Sequence, residues 1–443
     1  MGSRPERRAV VIGGGIAGLL TARVLAPSYD RVTVVERDPG PDADGGPRRG
    51  APQGAHLHGL LDGGRRLMEE LFPGISDELV AAGAPSAEPL YETRWYLHGR
   101  RLAPARTGMR SVLATRPFLE DALRARTRVL PGVEVDGPAT VTGLVGRARG
   151  PVTGVRIADR GGEREVPADL VVDASGRSSR AVAWLAGLGH AVPDECRVDV
   201  DLGYATRMYR REPGSTPLGG PVLGITVSTI PRSRGGGCLA VERDRWLVTL
   251  AGMLGDHPPR DGAGFEAFAA TLPAPDVHDV IRRCEPLTDP VPYRFRGSRW
   301  LRFDRLSAPP EGFLVLGDAL CSVNPLYAQG MSLAAQQVDV LRRLLERDPH
   351  VSPAAFHRGA GARCRAAWEI ATRADLALPE VEGSRPWAAR PLDAYVRRVQ
   401  QVAHHDPVVS RAFLRVANLA DPPAALLDPR LVPRVLRPRP ARG

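Results

Sequence analysis

The stretch Ala9-Val10-Val11-Ile12-Gly13-Gly14-Gly15-Ile16-Ala17-Gly18 decides how this chain is read. Four apolar residues suit a buried strand, and the run from Ile16 to about Leu25 suits an apolar helix, so the glycines stand where strand turns into helix. At such a turn Gly13 permits the tight bend, Gly15 lets a pyrophosphate approach the backbone, and Gly18 lets helix and strand pack closely. The unpaired amides of Ile16 and Ala17, at the helix start, then face the phosphate charge. A second apolar run closes on Glu36-Arg37, where the Glu36 carboxylate can accept hydrogen bonds from ribose hydroxyls and would repel a 2′-phosphate. The unit reads as a dinucleotide-binding βαβ motif in which NADP is not the expected occupant.

Far downstream, Phe313-Leu314-Val315-Leu316 runs into Gly317-Asp318, and Pro325 then precedes Gly330-Met331 at the start of another helical stretch. A carboxylate at the carboxyl end of a strand can hydrogen-bond several sugar hydroxyls, and a helix start favours negative charge. Together the two glycine-bearing segments point to FAD.

Composition bounds the rest. The chain has 443 residues and a net charge of +10, and all 60 basic residues are arginines. Without lysine no Schiff base can form, which excludes pyridoxal-phosphate chemistry. The arginines are spread along the chain, with a modest terminal cluster of Arg430, Arg434, Arg437, Arg439 and Arg442, and no nucleic-acid-binding motif accompanies them. Cys196, Cys238, Cys284, Cys321 and Cys364 are widely spaced and include no CxxC, so neither a disulfide framework nor a zinc site is expected, and no metal. No apolar run approaches the ~18 residues a membrane span needs. A cytoplasmic location is expected.

Along the chain, a Pro/Gly-rich connection at Pro39 to Gly54 leads to a helix from about Leu60 to Leu71. Tyr91 to Leu97 and Arg101-Leu102-Ala103 flank a turn at His98-Gly99-Arg100, and Arg116 to Arg126 reads as an amphipathic helix. Residues 133–172 alternate as strands do. The region 197–300 is strand-rich, with runs at 199–210, 222–230 and a hairpin at 237–252 turning near Arg243-Asp244. From 327 onward the chain is mostly helical, broken at Pro349, Pro379, Pro386 and Pro422-Pro423.

These motifs, with Arg116 followed by Leu119 and Leu123 and with the segment Asp173-Ala174-Ser175-Gly176-Arg177-Ser178-Ser179-Arg180, resemble the group A FAD-dependent monooxygenases, the aromatic hydroxylase superfamily. Pro52-Gln53-Gly54-Ala55-His56-Leu57-His58-Gly59-Leu60-Leu61 and the tail from Asp406-Pro407 to Pro422-Pro423 are similar to bacterial epoxidases of polyether biosynthesis and to squalene epoxidase. The resemblance covers nearly the whole chain. It implies an α/β fold in which a Rossmann-like FAD-binding domain of glutathione-reductase type (1–80, 106–196, 301–347) is interleaved with a β-sheet substrate domain (81–105, 197–300). A helical C-terminal region (348–443) follows.

The resemblance also implies roles for particular residues. Asp318 would bind the ribityl chain, Pro325 would shape the loop facing the flavin ring, and Gly330 and Met331 would offer amides to its pyrimidine side. Arg116, Arg37 and Arg49, or its neighbour Arg48, would contact the cofactor, as would Asp173 at the second turn. His56, His58, Asn324 and Gln329 are catalytic candidates near the ring, and Tyr204, Tyr293, Trp246 and Trp300 are candidate pocket walls. The family segment usually reads GADG where this chain has Ser175 in place of the acid, and no second GxGxxG is present. Electrons would therefore come from NAD(P)H bound transiently or from a partner flavin reductase.

The activity so implied is insertion of one oxygen atom from O2 into an apolar natural-product substrate through a C4a-hydroperoxyflavin, by alkene epoxidation. Phenol hydroxylation gains from a base that ionises the ring hydroxyl, and no clear acid/base pair is visible in the segments assigned to the pocket. Aromatic hydroxylation, a reductase of the prenyl-reductase type and a non-catalytic flavin protein stay open as alternatives, and presentation of the substrate by a carrier protein stays open too. A flavin halogenase would need a catalytic lysine, which this chain lacks.

Overall fold

A computed structural model describes residues 6–39, 46–212, 214, 219–220, 222–229, 232–383 and 390–437. The near-continuous apolar runs at Arg8–Ile12, Arg31–Val35 and Leu170–Asp173 are buried on both faces, as strands of a parallel sheet must be. With Val133–Asp136 and Phe313–Val315 they form a five-stranded sheet. Its order is 313–315, 170–173, 8–12, 31–35, 133–136, and every pairing is parallel. The first strand lies in the middle, and the chain winds off it in both directions. In such sheets ligands bind beyond the carboxyl ends of the strands at this switch. Gly13, Glu36, Asp173 and Gly317-Asp318 all emerge there.

A second, eight-stranded sheet has the order Cys321–Ser322, Val291–Leu301, Glu195–Arg210, Arg245–Gly252, Arg234–Val241, Gly224–Val227, Thr93–Leu97, Arg100–Arg101. It is antiparallel except where Gly224–Val227 runs parallel to Thr93–Leu97. Its outer face carries Tyr209, Trp246, Val248 and Leu250 and is covered by two helices, Gly262–Ala270 and Asp276–Arg283. Those helices were not anticipated in a region read as strands, although Phe265/Phe268/Ala269 and Val277/Val280/Ile281 carry the i, i+3, i+4 spacing of a helical stripe. A three-stranded antiparallel sheet of Thr140–Gly146, Val152–Asp159 and Gly162–Pro167 buries Val155 and Ile157 into the core of the parallel sheet.

The helix expected from Leu60 begins at Asp62, the one expected from Arg116 to Arg126 reaches Arg128, and a short helix, Ile75–Ala81, was not foreseen. Pro386, Arg439 and Arg442 lie outside the described residues. In the C-terminal region the long helix Pro353–Asp375 buries Phe356, Ala360, Cys364, Ala367 and Ala371 in the same core as the parallel sheet. The helices Arg390–Val402 and Pro407–Ala417 instead cover Leu90, Leu102 and Met109 beside the hairpin Thr93–Arg101. The fold is thus an interleaved α/β architecture with a helical C-terminal region, and among the described residues no helix is long and apolar enough to cross a membrane.

Candidate active site

Steric demand at the first turn is severe. Gly13 has φ +100°, and a Cβ on it would lie 2.9 Å from the Ala174 carbonyl oxygen. A Cβ on Gly18 would lie 1.8 Å from the Gly13 carbonyl oxygen. The Gly14 N–H donates to Glu36 Oε2 at 2.8 Å, while Gly15, at the N-cap of the helix Ile16–Leu25, brings no side-chain cap. The first-turn amides of Ile16 and Ala17 have no intrahelical acceptor, so a negative ligand there gains both hydrogen bonds and the helix dipole.

Around this turn the side chains build a charged cluster. Arg48 donates to Glu36 Oε2 at 2.8 Å, to Asp38 at 3.3 Å and to Glu120 at 2.9 Å. Arg116 Nε holds the other Glu120 oxygen at 2.8 Å. Burial works against ionisation of Glu120, yet Arg116 and Arg48 outweigh it and hold its carboxyl below the usual range. Arg124, 3 % exposed, donates to the Gly14 carbonyl from beneath the loop. Two expectations change here. Arg49 is exposed and Arg48 is the arginine that reaches the site, and Arg37 is turned outward, its guanidinium on the Gly50 carbonyl. Glu120 was missed, though it stands four residues after Arg116, the spacing of an ion pair on one helix face.

The second turn lies across from the first. Gly317 adopts φ +65°, and its N–H donates to Gln337 Oε1 at 2.6 Å. The neighbouring Asp318 carboxylate has no hydrogen bond from the described residues and stands by the helix Gly330–Leu345, with Oδ1 3.7 Å from where a Cβ on Gly330 would be. Burial raises its pKa, against the pull of Arg116, Arg177 and Arg299. Gln329 Oε1 and Ser332 Oγ, at the start of that helix, are also buried without partners among the described residues. A cavity beside them is lined by His58, Leu60, Leu79, Val112, Arg116 and Met331. Pro325 opens a 3-10 turn, Pro325–Tyr327, that ends on Ala328 in the left-handed region. Asn324 does not face the cavity: its Oδ1 accepts from the Leu326 N–H, and its Nδ2 donates to Asp375. Asp173 likewise turns inward, since its two oxygens accept from the Ser175 N–H, the Ser175 hydroxyl and the Ser179 hydroxyl. Both residues shape turns, because each lies where a polar side chain closes on its own backbone.

The two histidines differ. His58 Nδ1 donates to the His56 carbonyl at 2.9 Å, which leaves Nε2 to accept from Arg116 at 3.4 Å. Burial and the adjacent Arg116 push its pKa down to about 3, so it is a neutral prop for Arg116. His56 is 2 % exposed and its Nε2 has no partner among the described residues. The Leu57 N–H donates to Thr249 Oγ1 at 3.0 Å, Thr249 and Thr206 hydroxyls meet at 2.7 Å, and Thr206 meets His56 Nδ1 at 2.7 Å. If Nδ1 carried the proton, Thr206 would have to donate to Thr249, whose own hydroxyl proton would find no acceptor among the described residues. With the proton on Nε2 the chain runs the other way, from Thr249 to Thr206 to Nδ1, and the Nε2–H is the group left over. In either tautomer one donor, Thr249 Oγ1–H or His56 Nε2–H, finds no acceptor among the described residues.

Burial holds His56 neutral, with a pKa pushed down to about 4. Tyr204 and Tyr293, cross-strand partners on the inner face of the large sheet, flank its ring at 5.9 and 5.2 Å. Trp246 is on the outer face and Trp300 packs against Trp368, so neither walls this region.

A pH effect on stability follows. His56 and His357, both about 4, and His58, about 3, are buried neutral, whereas in the unfolded chain they take up protons near pH 6.5. Their lowered pKa values mean that stability is full above about pH 6.5 and falls as pH drops toward 4, by ~1.4 kcal/mol per group per unit. Urea unfolding at pH 7.5 and 5.5 should show the loss, and His357→Gln should make it shallower. Equal slopes would refute this. Among the described residues no cluster of His, Cys, Asp and Glu could hold a metal ion.

No protein-family model matches the chain. Protein Rv3254 of Mycobacterium tuberculosis is 32 % identical over 434 residues, covering 94 % of this chain and 90 % of the relative. A kynurenine 3-monooxygenase of Salinispora tropica is 26 % identical, covering 78 % of this chain and 74 % of its own length. Among solved structures, p-nitrophenol 4-monooxygenase PnpA from Pseudomonas putida superimposes with TM-score 0.64 at 16 % identity, over 94 % of this chain and 99 % of that one. The flavin-dependent halogenase CmlS gives TM-score 0.65 at 19 % identity, over 94 % and 77 %.

Proposed function

We propose that this chain, which belongs to one family with Protein Rv3254 and to the group A FAD-dependent monooxygenases, inserts one oxygen atom from O2 into a largely apolar small molecule, by epoxidation of an alkene. The observation that carries the reading is Asp318: a carboxylate without a hydrogen bond from the described residues, by a helix start, across from a turn whose Gly13 and Gly18 leave no room for a side chain.

These residues fit FAD. Gly13 to Gly18 leave room for a pyrophosphate against the amides of Ile16 and Ala17, Glu36 suits a ribose, and Asp318 suits a polyol chain. Gly330 and Met331 open a helix whose positive end suits the electron-rich edge of a reduced ring. When bound and reduced, FAD supplies the activation of O2. NAD(P)H or a partner reductase supplies the electrons.

The chain's own part is to bind, orient and exclude water. Arg116, braced by His58 and Glu120, keeps a positive charge beside the cavity. His56 is a neutral imidazole whose Nε2 meets no partner among the described residues, and with its pKa at about 4 it is a poor base at neutral pH. A site whose imidazole is so weak a base suits an alkene, which needs no ionisation. A second reading, aromatic hydroxylation, is favoured by an oxygen of Asp375 that has no partner among the described residues, a buried acid that sequence reading missed, and by the activity in the name of the kynurenine 3-monooxygenase relative.

The test is turnover of candidate apolar alkenes and phenols under ¹⁸O2 with FAD and a reductant. Label in an epoxide or its ring-opened product supports epoxidation. Label only in a new phenolic hydroxyl decides for the second reading, and no incorporation with any substrate class refutes both.

A further inference from the structure

We infer that Asp375, the last residue of the helix Pro353–Asp375, is a positioning residue for oxygen transfer, clamping the turn Asn324–Ala328 from behind and so setting where Pro325 and Gln329 stand. The inference rests on the flavin reading above. Asp375 Oδ1 accepts from Asn324 Nδ2 at 2.7 Å and from the Tyr327 hydroxyl at 2.8 Å. The same Asn324 accepts from the Leu326 N–H at 3.0 Å, and its own N–H donates to Ser298 Oγ at 2.9 Å. The turn is thus tied to the long helix by two side chains and to the large sheet by a third. Ala328, with φ +53°, ends this turn in a conformation that L-residues with a Cβ adopt only when their surroundings hold them there.

Asp375 and Asn324 are fully buried, and Asp375 Oδ2 has no partner among the described residues. An asparagine in this place could also accept two hydrogen bonds. An ionised carboxylate does more, because it only accepts, so both Asn324 and Tyr327 must donate and the amide of Asn324 has a single orientation. Protonation of Oδ2 weakens both bonds at once and loosens the turn.

The described titratable groups that act on Asp375 are phenols, Tyr327 from the turn and Tyr204 from the strand Glu195–Arg210. Beyond Tyr204 stand Tyr293 and His56, and no arginine acts on the carboxyl. Burial raises its pKa to about 6, although the bonds from Tyr327 and Asn324 pull the other way. The clamp is therefore engaged above about pH 6 and slackens below it.

The experiment titrates the visible absorption of bound FAD from about pH 5 to 8 in the full-length protein. Wild type should show a one-proton change centred near pH 6, and Asp375→Asn should be flat. Tyr327→Phe removes a donor to the carboxylate, so its midpoint should move up, by about half a unit or more, with little change in stability. The same titration of the buried carboxyl stretch by infrared spectroscopy needs no flavin. A change that survives in Asp375→Asn, or an unmoved midpoint in Tyr327→Phe, overturns the inference. If wild type takes up no FAD the flavin reading fails instead, and the infrared midpoint alone still decides whether Tyr327 and Asp375 are coupled.

Discussion

Gly18→Ala should abolish FAD binding and destabilise the protein by about 3 kcal/mol or more, the upper range for a side chain forced into a filled space. Its Cβ would stand 1.8 Å from the Gly13 carbonyl oxygen, and backbone cannot move aside as the end of a side chain can. The strand, the turn and the helix Ile16–Leu25 would have to part. Gly15→Ala is the matched control. Nothing lies closer than 3.5 Å to a Cβ there, so folding should be unaffected while FAD affinity falls, because the methyl group occupies the approach to the helix start. Urea unfolding and flavin fluorescence titration of both variants would separate the effects. If Gly18→Ala bound FAD with wild-type affinity, the turn would not be the cofactor's seat.

Glu120→Ala is expected to cost about 3 to 5 kcal/mol, the range for removing one partner of a buried ion pair. Glu120 is 4 % exposed and answers two arginines, Arg48 and Arg116, each of which would be left short of a carboxylate in a poorly solvated place. Arg48 keeps Glu36 and Asp38 as ion-pair partners, whereas among the described residues the hydrogen-bond partner left to Arg116 is the neutral His58. Glu120→Gln preserves the acceptor and should lie between. Equilibrium unfolding at pH 7.5 is the measurement, and a loss below about 1 kcal/mol for Glu120→Ala would contradict the placement of the cluster.

What could be read from the chain were features whose cause is local. A strand, three glycines and a helix declare themselves in ten residues, and Gly317-Asp318 needs only its own strand before it. Side-chain placements that the sequence did not show depend on how each turn closes and on partners that no motif declares. Asp173 and Asn324 look like ligand-binding residues until their turns close on Ser175, Ser179 and Asp375. Arg48 and Arg49 are indistinguishable in sequence, and only the loop's path over Gly15 decides which one points inward. Asp375 sits at a helix end with no motif around it, and its partners lie about fifty residues earlier. His56 was named as a candidate, but the hydroxyls that engage its ring, Thr206 and behind it Thr249, come from two strands of another sheet. The helices at 262–283 were hidden because each is short and lies within a strand-rich region.

The central claim, that the two glycine turns together hold FAD, is tested most directly by the flavin content of the purified protein. After incubation with FAD and gel filtration, about one FAD per chain should remain, be released intact by acid, bleach on reduction and return its colour with O2. Asp318→Ala should lower that content while leaving the unfolding curve nearly unchanged, since its carboxylate makes no hydrogen bond to the described residues. A wild-type protein that stays colourless after loading, or an Asp318→Ala variant that holds FAD as tightly as wild type, would contradict it.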